Sequence, residues 1–142
     1  MSAMTPEQRL QQLGLVLPTV SAPRGNFDAY VLDGHTLYLS GMGREISTDE
    51  ARQHARDVGL HLIATMRAAL GDLSRVRRMV KVLGMVNAVP DFMQHTEVIN
   101  GCSDLLVEVF GDAGRHARSA VGVGSLPRGF AVEIEAVVSI KD

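Results

Sequence analysis

Apolar residues recur at helical spacing in three stretches of the chain and mark strands in five others, with turn-forming residues between most of them. The first helix is predicted over residues 6–13. Thr5 with Gln8 makes a capping box, Pro6 suits the first helical position, and Gly14 stops it. Residues 15–26, with Pro18, Pro23 and Gly25, read as irregular. Residues 27–32 and 36–40 read as strands joined at Asp33-Gly34, a strong hairpin signal, and Gly41 and Gly43 then break the pattern. Ser47 with Glu50 forms a second capping box. It opens a helix to Leu70 whose apolar stripe is Ala51, Ala55, Val58, Leu62, Met66, Ala69 and Leu70, and Gly71 ends it.

Residues 76–89 read as a long strand rich in valine and methionine, closed by Pro90. Asp91 is expected to cap a third helix over 92–110, with Phe92, Ile99, Cys102, Leu106, Val109 and Phe110 near helical spacing. Two strands finish the chain, 117–123 and 131–140, linked through 126–129. In the last strand Val132, Ile134, Ala136, Val138 and Ile140 share one face while Glu133 and Glu135 share the other. The order is therefore helix, β, β, α, β, α, β, β: a single α/β domain over 1–142. Its two long helices each cross between strands, so both belong on one face of a sheet. The opposite face needs a cover, and a partner subunit is the economical way to supply it.

Composition narrows the function classes. The chain is 46% apolar and 21% charged, which is globular, and no apolar run approaches a membrane span. The lone cysteine, Cys102, rules out an intrachain disulfide and fits a reducing compartment; with a polar N-terminus, the expected location is cytoplasmic. Net charge is -2 and only six residues are aromatic, so neither a basic field nor stacking platforms favour nucleic acid. The densest basic stretch, Arg75, Arg77, Arg78 and Lys81, reads as a solvated edge, with alternation placing Arg77 and Lys81 on one strand face and Arg78 on the other. A mean hydropathy of +0.10 is high for so small a monomer and again suggests burial against identical subunits.

Candidate chemistry is sparse. Phosphate-binding loops, zinc motifs and nucleophile elbows are absent from the sequence. His54 and His61 lie seven apart on one helix, and His35, His95 and His116 fall in separate elements. No metal site is expected, and these histidines read as mostly surface residues. Cys102, on the apolar side of its helix, reads as buried packing. The unusual feature is charge on strands: Arg118, followed by Ser119, and Glu133 fifteen residues later. If the last two strands pair through 126–129, these charges meet. Spacing alone favours a structural ion pair or a solvent-facing glutamate pair. The functional alternative is an arginine fork clamping a small carboxylate, with a glutamate beside it to hold a water and move its proton. Gly41, Gly43, Gly122 and Gly124 fit either a close ligand approach or ordinary bulges and turns.

The stretch Arg118-Ser119-Ala120-Val121-Gly122-Val123, then Leu126-Pro127, then Val132-Glu133-Ile134-Glu135-Ala136, resembles the C-terminal signature of the RidA (YjgF) family. Leu39-Ser40-Gly41, and Asp91-Phe92 followed by Ile99-Asn100, resemble earlier family segments. The resemblance covers about residues 25–140, leaving 1–24 as an N-terminal extension with its short helix. It implies a chorismate-mutase-like fold, a mixed sheet with two long helices on one face, assembled as a homotrimeric barrel with sites between subunits. It also implies hydrolysis of enamine and imine acids to 2-keto acids and ammonia, without metal or organic cofactor. Carried over, Arg118 clamps the substrate carboxylate, Glu133 positions the water, and Ser40, Gly41 and Asn100 match further pocket positions. Two positions depart from the pattern. Ala120 stands where the family has cysteine, and Phe27 where it has tyrosine. They leave a non-catalytic carboxylate binder as the alternative, with an endoribonuclease the least favoured.

Overall fold

A computed structural model describes residues 3–23, 25–44 and 47–142, with the backbone alone for 41–44. The elements are α1 (Pro6–Gln12), β1 (Tyr30–Asp33), β2 (Thr36–Arg44), α2 (Thr48–Leu70), β3 (Val76–Asn87), α3 (His95–Phe110), β4 (Ala117–Val123) and β5 (Phe130–Ile140). They form one five-stranded sheet in the order β1-β2-β5-β3-β4. All pairings are antiparallel except β3 with β4, which is parallel. Among the described residues no helix is long and apolar enough to cross a membrane.

Local sequence explains the helix starts. Thr5 Oγ1 accepts from Gln8 N while Thr5 N donates to Gln8 Oε1, and Ser47 with Glu50 repeats the arrangement on α2. Both long helices lie on one sheet face, packed against each other, with α2 on β2 and β5 and α3 on β3 and β4. The expected stripe of α2 is buried, apart from the half-buried Ala69, and it meets Val98, Cys102, Leu105 and Leu106 of α3 and alternate residues of β5 in one core. The helices touch almost backbone to backbone. A methyl on Gly101 would collide with the carbonyl oxygen of Arg52, and one on Gly59 would lie 2.9 Å from Leu105 Cδ2. Outside this contact, Arg52 pairs with Asp104 and Arg56 with Glu108, each at 2.9 Å.

The N-terminal extension is part of this body. Leu10 is buried, Glu7 Oε1 accepts from Leu73 N at 2.7 Å, and the guanidinium of Arg9 lies over Gly111 at the C-terminal end of α3. A cation there complements the negative end of the helix dipole.

Several expected boundaries change. β1 starts at Tyr30 rather than Phe27, because residues 25–27 bend and strand pairing begins only at Tyr30 opposite Leu39. β2 runs through Gly41 and Gly43 to Arg44 instead of stopping at Ser40. The long β5 offers a backbone partner that glycine uses as well as any residue. α3 begins at His95 after Gln94, not at 92. Pro90 and Asp91 occupy the centre of a turn closed by Phe92 N donating to Val89 O, so Asp91 is consumed there rather than as a cap. In β3 the simple alternation of Arg77, Arg78 and Lys81 fails. Register shifts between Val76 and Arg78, and between Met79 and Lys81, bury Val76, Met79 and Val82 every third residue and leave all three cations exposed.

The largest correction concerns β4 and β5. They do not pair through 126–129. β5 is the central strand between β2 and β3, and β3 separates it from β4. The α3 crossover returns the chain parallel to β3, so β4 takes the outer edge.

Candidate functional site

Strand register decides which way each candidate points. Neighbouring residues on paired strands share a face, and Arg118 lies beside the buried Val82, Ala120 beside Gly84, and Gly122 beside Val86. A methyl on Gly84 would run into Ile99 of α3, so this row faces the helices. Glu133 lies beside Met85 in the alternate set, with Glu135 beside Leu83 and Ser40, all on the sheet face away from α2 and α3. Arg118 and Glu133 therefore project from opposite faces. Two strand spacings and a three-residue offset put their Cα atoms roughly 14 Å apart. The expected ion pair between them does not form, and neither does a single pocket holding both.

What surrounds Arg118 instead is a polar network at the α3–β4 edge. Its Nη1 donates to Asn100 Oδ1 at 2.9 Å and to Ser103 Oγ at 3.0 Å. Among the described residues its Nη2 and Nε make no hydrogen bond. That edge can take a carboxylate through two parallel bonds. Ser103 Oγ lies 2.9 Å from His116 Nε2, and His116 Nδ1 lies 2.6 Å from Gly114 O. His116 is half-buried, which corrects its expected surface role. Burial holds its pKa below the usual histidine value; Gly114's hydrogen bond opposes this and the Arg118 charge adds to it.

The face away from the helices carries the second group. Burial, and then the like charge of Glu135, push the Glu133 carboxyl above the usual carboxylate range. Exposed Val31, Tyr38 and Val121 and half-buried Leu83, Met85 and Val137 lie on the same sheet face. Of the other candidates, Asn100 and Ala120 join Arg118 on the helix side, Ser40 joins Glu133, and Gly41 contributes backbone opposite Ile134. Phe27 is 50% exposed in the bend before β1, its ring beside Gly25. Cys102 is fully buried with its thiol pushed up to about 12, an inert packing residue as expected. Among the described residues no cluster of three or more metal-ligating side chains occurs.

Ser103 and His116 escaped sequence reasoning. Two spacings signalled them: His116 and Arg118 are two apart on one strand, and Asn100 and Ser103 are three apart on one helix.

This chain is similar to known proteins over most of its length. Residues 7–130 match the YjgF/chorismate mutase-like family, a family also described by an endoribonuclease label. Protein TCP17 of Trypanosoma cruzi is 42% identical, over 94% of this chain and 92% of that protein. A 2-iminobutanoate/2-iminopropanoate deaminase of Dermatophagoides farinae is 33% identical, over 87% of this chain and 93% of its own. A crystal structure from Shewanella oneidensis, carried as a candidate endoribonuclease, superposes with a TM-score of 0.90 at 30% identity, covering 96% of this chain and all of the other.

Proposed function

The chain belongs to the YjgF/chorismate mutase-like family, and on that premise we propose that it hydrolyses small enamine and imine acids to 2-keto acids and ammonia. The observation that carries this reading is the uncommitted Nε–Nη2 edge of Arg118, held in place by Asn100 and Ser103 on the opposite nitrogen. It is a fork ready for the carboxylate that every such substrate carries. The deaminase name of the Dermatophagoides relative supports the reaction class.

The step needs a water and a proton carrier. An imine acid and water give the 2-keto acid and ammonia. Water adds to the C=N carbon as a carboxylate accepts its proton, the nitrogen takes that proton, and the carbinolamine collapses with loss of ammonia. Glu133 suits the carrier role, because its raised pKa lets it both accept and return a proton nearer to neutrality. Since Glu133 and Arg118 leave opposite sheet faces, the Glu133 that serves one Arg118 comes from a neighbouring copy of the chain. The exposed apolar residues on the sheet face of Glu133 support such an assembly, which we take to be a homotrimer. Orientation of acid and water supplies most of the acceleration, as imines already react with water.

An amino-acid oxidase generating the imine in the presence of semicarbazide tests the proposal. Added protein should lower semicarbazone yield, and Arg118→Ala should abolish the effect. Unchanged yield across several side chains would sink it. The second reading, carboxylate binding without turnover, draws on Phe27 and Ala120 replacing a hydroxyl and a thiol. It requires calorimetric binding of 2-ketobutyrate, lost in Arg118→Ala, with no imine hydrolysis. Light scattering after size exclusion checks the trimer.

A further inference from the structure

The Arg118 guanidinium is presented by a hydrogen-bond chain whose polarity is set three hydrogen bonds away from it, at Gly114. The Gly114 carbonyl can only accept, so His116 Nδ1 must carry the proton in the 2.6 Å bond between them. A neutral imidazole then has Nε2 as an acceptor, so the Ser103 hydroxyl must donate to it across 2.9 Å. With its hydrogen committed, Ser103 Oγ offers lone pairs alone, and Arg118 Nη1 donates to them at 3.0 Å. Asn100 Oδ1 takes the other hydrogen of the same nitrogen. The start of the chain is rigid. Gly114 is buried, and a methyl on it would collide with the Leu106 carbonyl of α3, so the backbone that bears its carbonyl is packed tightly against α3.

We propose that His116 and Ser103 are positioning residues of the anion site, fixing the rotation of the Arg118 guanidinium so that its Nε–Nη2 edge faces the ligand carboxylate. This rests on the reading of Arg118 as a carboxylate anchor. Neither residue handles the substrate: the Ser103 hydroxyl is committed on both sides, and Nη1 stands between it and the free edge. Protonating His116 reverses the polarity, because Nε2 becomes a donor and frees the Ser103 hydrogen. It also sets a second positive charge near Arg118. The other ionisable groups around His116 do not compensate: the Cys102 thiol on α3 is neutral, Lys81 of β3 is exposed beside Ala117, and Arg115 and Asp112 face each other at the surface at 3.7 Å.

The test reads the guanidinium without any ligand. Nitrogen-15 spectra of the whole protein should place the proton of neutral His116 on Nδ1, with a titration midpoint below 6.5. Arg118 Nη signals should be resolved by slow rotation, and should collapse in His116→Ala. His116→Gln, whose side-chain oxygen can still accept from Ser103, should restore them. Calorimetry with 2-ketobutyrate should then show affinity about five- to tenfold weaker in His116→Ala and within about twofold of wild type in His116→Gln. An Nε2–H tautomer, or Arg118 signals unchanged in His116→Ala, overturns the proposal. Intact spectral effects with no 2-ketobutyrate binding by wild type would overturn the carboxylate reading alone.

Discussion

Arg118 and Glu133 stand on opposite faces of one sheet, with β3 between their strands. A site that uses both must draw them from two copies of the chain. Arg118→Ala and Glu133→Gln should each be inactive, and equimolar refolding of the two should return activity. Random mixing leaves about a quarter of the sites with an intact arginine from one copy and an intact glutamate from the next. Zero recovery from variants that assemble normally would show that the site is not divided.

The pH profile should report Glu133. Its carboxyl is raised above its ordinary 4.5 by burial first and by Glu135 second. The ionised form that accepts the proton therefore develops at higher pH, and the acid limb of kcat/KM should lie above 4.5. Glu135→Gln removes the like charge and should move that limb to lower pH without returning it fully. A limb that stays put in Glu135→Gln would assign it to another group.

The seating of α3 should be intolerant of added volume at one point. Gly101→Ala drives a methyl into the Arg52 carbonyl, a backbone atom that cannot swing away. It should cost about 3 kcal/mol in urea unfolding, while Gly124→Ala, in open space, should stay within about 0.5 kcal/mol. Equal effects from the two would mean that the helices can slide apart.

Cys102 should be silent in the native protein. With the thiol fully buried and pushed up to about 12, iodoacetamide at pH 8 should label it only after denaturation. Rapid native labelling would imply frequent opening between α2 and α3.

Much of the fold was legible because local chemistry agreed with the final packing. The capping boxes at Thr5 and Ser47, the Asp33-Gly34 hairpin and the apolar alternation of β5 are each decided within a few residues. Strand order was not legible in the same way. It depends on where α3 returns the chain, and nothing local at 126–129 distinguishes a hairpin from a link past the end of β3. The candidate site divided likewise. Arg118 and Asn100 do meet, but the facing of Arg118 against Glu133 follows from register, which a reading along one strand cannot supply. Asp91 misled because the same residue type suits a helix cap and a turn after proline.

The docking of α1 also bears on folding order. Its seven residues are too few to hold a helix alone, and their anchors, Leu73 and Gly111, come some sixty and a hundred residues later in the chain. α1 is therefore expected among the last elements to settle, closing like a clasp over a core already formed. Interactions absent from the folding transition state act on escape from the native state. Glu7→Ala and Arg9→Ala should thus speed unfolding and leave the refolding rate nearly unchanged.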